Sequence, residues 1–251
     1  MNDVDALKLL KGEDCQITDH IAIKQPTLGE ICDFGEKRYY QTLSAFIPSP
    51  FDMIAQLDSI GIDFTKITEY ELFCAIVPSI PQEDSRILFG DIDFTKFRLI
   101  RKDEKAELRY KNAVISEPVF NIMASYLRQM NCLEPPKFKQ VGNEFTKQKM
   151  IEFAYNDLKY ASRKKYKSSL ASIVSSLVNH PNFKYGIKEV WDIKIYPFFD
   201  ALKRVQIIDN TKNLYTGLYS GAISMNSINK KDLNWMRNAN WYMKGRKRYG
   251  F

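Results

Sequence analysis

The sequence predicts an α+β protein that is predominantly helical. Three observations carry this reading. Two capping boxes, Thr27 with Glu30 and Thr68 with Glu71, each stand at the head of an apolar run. Val119, Ile122, Met123, Tyr126, Leu127 and Met130 fall on one stripe at helical spacing. Strand signals are confined to two short stretches, residues 17–24 and 97–111.

Residues 17–24 (ITDHIAIK) partly alternate and predict a strand that carries His20. The Thr27 box opens a helix to about residue 47. Ser49-Pro50 restarts one, with Ser as N-cap and Pro at the first helical position, and Gly61 stops it. The Thr68 box opens a helix over 69–77, which Pro78 and Pro81 end. Ile62-Asp63-Phe64-Thr65-Lys66 recurs as Ile92-Asp93-Phe94-Thr95-Lys96. Two such copies do not make a solenoid. They predict two similar Asp/Thr turns, each with a buried Phe.

Residues 97–102 and 105–111 flank Asp103-Glu104 and predict a β-hairpin. Ser116 caps a helix through Met130. Residues 133–140 (LEPPKFKQ) hold two adjacent prolines and few large apolar groups, and make the best domain boundary. Beyond it the pattern is helical. Residues 143–165 are polar and basic, and 168–179 are rich in Ser and small apolar residues. His180-Pro181-Asn182 is a turn. A longer helix runs from Tyr196-Pro197 to about residue 219, ended by Gly217 and Gly221. Trp191, just before that helix, is expected in the core. The expected organisation is an N-terminal α+β domain (1–131), a helical domain (141–229) and a basic-aromatic docking tail (230–251).

A chain of 251 residues buries roughly 70–75% of its unfolded surface, so it needs no covalent staples. Its 45% hydrophobic content excludes disorder. Cys15, Cys32, Cys74 and Cys132 are far apart and form no CxxC pair. Each is expected as a small buried hydrophobe in a reducing compartment. The first 14 residues lack a basic and then apolar leader pattern. The longest uncharged run, 168–183, is too polar for a bilayer. The expectation is a soluble, cytoplasmic protein with no membrane contact.

The chain holds no P-loop, HExxH, GxSxG or GxGxxG pattern. His20 lies in a strand with no other candidate ligand nearby, and His180 precedes Pro181 in a turn, so each reads as a surface or hydrogen-bonded structural residue. Asp91 and Asp93 share a face of an extended segment, as a hard-cation site would require. They lack a third acid and read as a solvated turn. No catalytic residue, metal or cofactor is expected. Residues 159–167 (KYASRKKYK) interleave cations with Tyr160 and Tyr166, as single-stranded nucleic-acid contacts do. A solvated helix end explains them more simply, since Lys and Arg complement the helix dipole there.

The tail is the most distinctive feature. Residues 230–251 hold seven cations against one acid, and so carry six of the chain's seven net positive charges. Trp235, Met236, Ala239, Tyr242 and Met243 fall within about a third of a helix circumference at 100° per residue. Arg237 and Lys244 project from the other side, Asp232 can cap the start, and Arg246, Lys247 and Arg248 follow. The expected partner-binding residues are Trp235, Met236, Tyr242, Met243, Arg246, Lys247 and Arg248.

Four stretches resemble tailed-bacteriophage morphogenesis proteins from phages of Gram-positive bacteria. They are IAIKQPTLGEICDFGEKRYY (21–40), ILFGDIDF (87–94), FKYGIKEVWDIKIYPFFDALKRVQ (183–206) and NKKDLNWMRN (229–238). The resemblance spans about residues 17–238, and its motifs are of the packing kind. It implies a protein similar to tail-assembly chaperones, which hold the tape-measure protein soluble and help recruit tail-tube subunits. A tail or baseplate structural protein is the other role it implies. The expected function is therefore non-enzymatic tail morphogenesis by protein–protein binding, with tape-measure or tail-tube proteins as partners and self-association open. The alternative is a phage nucleic-acid-binding protein that uses the basic tail and the 159–167 cluster.

Overall fold

Local chemistry starts each early element. The structure, a computed structural model, describes residues 5–102, 105–135 and 141–237. The Asp5 carboxylate accepts from the Leu7 and Lys8 N–H groups and starts α1 (Ala6–Lys11). Gly12 ends it at φ +79°, where a Cβ would also lie 2.7 Å from Lys194 Cγ. Strands β1 (Cys15–Thr18) and β2 (Ile21–Ile23) pair antiparallel, with Cys15 opposite Ile23. Residues 17–24 are therefore a tight hairpin and not one strand. The polar Asp19-His20 makes the turn, so His20 lies outside both strands.

Both capping boxes form. Glu30 N–H donates to Thr27 Oγ1 at 3.0 Å and Thr27 N–H to Glu30 Oε2 at 2.6 Å, opening α2 (Leu28–Phe34). Gly35, at φ +95°, splits the expected helix, and α3 (Glu36–Phe46) follows. A 3-10 turn at Pro50–Asp52 and α4 (Ile54–Ser59) come next, and then the Thr68 box and α5 (Glu69–Ile76). Helix α6 (Gln82–Phe89) has no counterpart in the sequence reading. Pro81 reads as a terminator, yet it stands at the N-cap position with Glu83 and Asp84 in the first turn.

The two Asp/Thr turns are alike. Asp63 Oδ1 accepts from Thr65 N at 3.0 Å and Thr65 Oγ1 at 2.7 Å; Asp93 Oδ1 accepts from Thr95 N at 3.1 Å and Thr95 Oγ1 at 2.6 Å. Phe64 and Phe94 are both buried. Strands β3 (Arg98–Lys102), β4 (Lys105–Tyr110) and β5 (Ala113–Ile115) form an antiparallel meander. Helices α7 (Glu117–Met130), α8 (Glu144–Arg163), α9 (Ser169–Val178) and α10 (Ile195–Tyr219) complete an α+β fold that is predominantly helical. On α7 the buried face is Phe120, Met123, Ala124, Tyr126, Leu127 and Met130. Ile122 is exposed, so the stripe is rotated toward Phe120 relative to the expected one.

The main core gathers side chains from α1 to α3, α5 to α7, α9 and α10. At its centre Phe46 lies 4.4 Å from Phe89 and 4.8 Å from Phe94, ring centre to ring centre. The Tyr70 hydroxyl sits 2.7 Å from Ala106 O and 2.8 Å from Ile115 O, fastening α5 to the meander. The same core takes in Leu170, Val174 and Leu177 of α9 and Val190, Phe198, Phe199 and Val205 further on. It thus draws from both sides of the expected 133–140 boundary, of which residues 136–140 lie outside the described residues. A smaller cluster of Ile54, Leu57, Phe64 and Leu72 receives Met150, Ile151 and Ala154 of α8.

Trp191 is 37% exposed, contrary to expectation, and Val190 holds the core position instead. The four residues Glu189–Asp192 form a 3-10 turn, in which adjacent side chains point about 120° apart, so one of the two faces inward. Cys74 and Cys132 are buried, but Cys32 is exposed.

Candidate docking surface

The chain after α10 turns back along that helix. Gly217 permits the turn, since a Cβ there would lie 2.9 Å from Ile223 Cδ1. Asn229 caps the 3-10 turn Lys230–Leu233 by accepting from Lys231 N–H. Asp232, the expected cap, instead forms an ion pair with Arg237. Residues 229–237 are then held to α10 through their backbone carbonyls. Thr211 Oγ1 donates to Asp232 O at 2.9 Å, and the Tyr215 hydroxyl to Leu233 O at 3.4 Å. Arg204 Nη1 donates to Trp235 O at 3.0 Å and to Arg237 O at 3.3 Å. From residues 232–233 to 235–237 the contacts pass from Thr211 and Tyr215 back to Arg204, so the segment is an antiparallel strap.

Holding a strap by its carbonyls leaves its side chains to point elsewhere. Trp235 is 51% and Met236 66% exposed. Tyr215 and Tyr219 stack on the same helix at 6.0 Å, and Tyr219 is largely exposed. Two of the expected partner-binding residues, Trp235 and Met236, are therefore on the surface of the strap. Tyr242, Met243, Arg246, Lys247 and Arg248 lie outside the described residues, as does most of the expected tail helix. Sequence reading missed Arg204, Thr211 and Tyr215. Their spacing of seven and four residues, one polar line down α10, was the available signal.

Other chemistry-bearing groups are engaged in structure. His180 Nε2 lies 2.7 Å from Asp209 Oδ2, and its Nδ1 accepts from Asn182 N–H at 3.2 Å. Asn182 Nδ2 donates to Asp209 Oδ1, closing a small network that pins the turn to α10. Asp91 pairs with Arg86, and Asp93 with Lys96. Among the described residues no group of three or more His, Cys, Asp or Glu could hold a metal ion. Among the described residues, an open cleft of about 440 Å³ holds His20, Asp91, Asp93 and Lys96, and another of about 590 Å³ holds Phe51, Phe64, Tyr70 and Phe120. Lys159, Arg163, Lys164, Lys165 and Lys167 are exposed at the end of α8 and have no ion-pair partner among the described residues.

Residues 162–240 match the family described as the YomV second domain. The match begins at the end of α8 and takes in α9, α10 and the strap, so the strap belongs to the matched unit. Similarity to the YomV second domain points to a phage-type protein. No curated protein and no solved structure matches the chain. Among the described residues no helix is long and apolar enough to cross a membrane.

Proposed function

We infer that this is a non-enzymatic phage morphogenesis protein, an assembly chaperone or a tail-associated structural protein, that acts by binding other phage proteins. One observation carries the reading. The strap is anchored by main-chain carbonyls to Arg204, Thr211 and Tyr215, while Trp235 and Met236 stand outward. Exposed Trp and Met are residue types that anchor protein interfaces. The likeness to the YomV second domain supports the phage setting, and the resemblance of residues 21–40, 87–94, 183–206 and 229–238 supports the morphogenesis role. Tape-measure and tail-tube proteins are the partners this reading names.

The test is co-purification of the full chain with the tape-measure and tail-tube proteins of the same phage, together with mass spectrometry of finished particles. Stable co-purification supports the reading. Presence in particles then marks a structural role, and absence an assembly factor. Failure to bind either protein, with tight salt-sensitive binding to an oligonucleotide, would replace it by the nucleic-acid reading.

A further inference from the structure

Helix α8 spans 20 residues, yet none of them is buried. Helices in folded proteins draw most of their stability from packing, so one this long with only shallow cover has apolar surface to spare. Its inner side rests Met150, Ile151 and Ala154 on the cluster around Leu57 and Phe64. Lys147 Nζ pairs with Asp63 at 2.9 Å and the Tyr155 hydroxyl bonds Asp58 at 3.1 Å. The opposite side carries Phe145, Phe153 and Tyr160, which are 69%, 64% and 64% exposed.

These three aromatics form a nearly palindromic stripe. They are spaced eight and seven residues apart, with Phe153 at the centre. Their Cα atoms rise about 12 Å and 10 Å along the axis, two helical turns each. That pitch is too long for the consecutive bases of a nucleic acid, which stack on successive platforms a few Å apart. It fits a second helix, whose own side chains repeat every two turns on one face.

We propose that two copies of this chain pair antiparallel through α8, about a two-fold axis beside Phe153. Under that symmetry Phe153 meets its own copy, and Phe145 meets Tyr160 of the second copy on either side, an isologous contact. Charge selects the antiparallel direction. The five cations of residues 159–167 sit at one end of α8, so a parallel pair would superpose two basic clusters. Antiparallel pairing sets them at opposite ends, about 30 Å apart and several Debye lengths away from each other. Glu144, in the first turn, then falls beside the basic end of the second copy. Glu152, next to the axis, is already neutralised by Lys149 at 2.6 Å.

A single helix pair of this length buries roughly 1,000–1,200 Å², the low end for a specific interface, so the dimer should dissociate on dilution. The proposal is independent of the strap. Its test is sedimentation velocity of the full chain from about 1 to 100 µM, where so small an interface saturates. Wild type should pass from one chain to two. Phe153→Asp should weaken the association more than about tenfold with an unchanged far-ultraviolet spectrum, since the side chain is exposed. Should that variant fail to fold, Phe145→Ser with Tyr160→Ser reads the same contact. Trp235→Asp should leave the dimer intact. A chain that is monomeric throughout, or a dimer that survives the α8 substitutions, overturns the proposal. So does a monomer that captures an oligonucleotide through residues 159–167, or a dimer lost only on changing Trp235.

Discussion

The carboxylate of Glu36, at the start of α3, caps the first turn of α9 by accepting from the backbone N–H of Leu170 at 3.1 Å. The same Oε1 accepts from Ser169 N–H at 3.1 Å and Ser169 Oγ at 2.9 Å. A residue of the N-terminal half thus adds a second cap, beside that of Ser168, to the first full helix of the matched unit, across more than 130 positions of sequence. Anions are favoured at a helix start because orphan N–H groups and the dipole both point there.

Burial alone would raise the pKa of Glu36. Hydrogen bonds from Ser168, Leu170 N–H, Ser169 and Tyr166 outweigh it and hold the carboxyl below the usual range. A depressed folded value stabilises the fold above the unfolded value of about 4.3, and that stability is lost as pH falls through the folded value. Glu36→Ala should cost about 1 kcal/mol near neutral pH, the usual worth of a cap. Its thermal midpoint should fall less steeply than that of wild type below about pH 4.5. Denaturation across pH 3 to 7 checks both the size and the slope.

The paired Asp/Thr turns give an internal comparison. Asp63 is held well below the usual carboxylate range, first by its bond from Lys147 and then by Thr65. Asp93 is lowered by Thr95 and Lys96, its own turn neighbours. Asp63→Asn should therefore loosen α8, and Asp93→Asn should not. Hydrogen exchange over residues 144–163 should quicken in the first variant alone.

Much of the fold was legible because its signals are local. Thr27, Thr68, Asn143 and Ser168 cap helices through side chains one turn away, and Asp63 and Asp93 close their own turns. What depends on distant partners was not legible. Trp191 and Val190 are neighbours of similar apolarity, and only the placement of α2 decides which faces inward. A Cβ on Gly29 would lie 3.1 Å from the Trp191 carbonyl, so α2 sits directly over that backbone. On the docking surface, Trp235 and Met236 announced themselves by composition. The anchors Arg204, Thr211 and Tyr215 look like any polar positions on an exposed helix.

Val190 and Trp191 invert the usual expectation of size. Val190 is fully buried, so Val190→Ala should cost about 2 kcal/mol through lost methyl burial and a small cavity. Trp191→Ala should cost less than the 3–5 kcal/mol of a core Trp. Urea midpoints of the two variants, with the slope held common, decide it.

Tyr39 and Asn131 share a buried hydrogen bond of 2.8 Å between α3 and the end of α7, and Asn131 is wholly inaccessible. Tyr39→Phe removes the donor and leaves the amide oxygen without it in the core. The expected loss is about 1–3 kcal/mol, the desolvation cost of an unmet buried acceptor. Equilibrium unfolding should show it as a lower midpoint with no change in secondary structure.

The strap claim is tested most directly by the salt dependence of binding to the tape-measure or tail-tube protein, comparing Trp235→Ala with the triple neutralisation of Arg246, Lys247 and Arg248. If the exposed Trp235 and Met236 anchor the partner, affinity should change little between about 50 and 200 mM salt, and Trp235→Ala should cost more than the triple variant. A loss of two to three decades over that range, about what six phosphate-like contacts produce, with the triple variant abolishing binding and Trp235→Ala leaving it unchanged, would contradict the account.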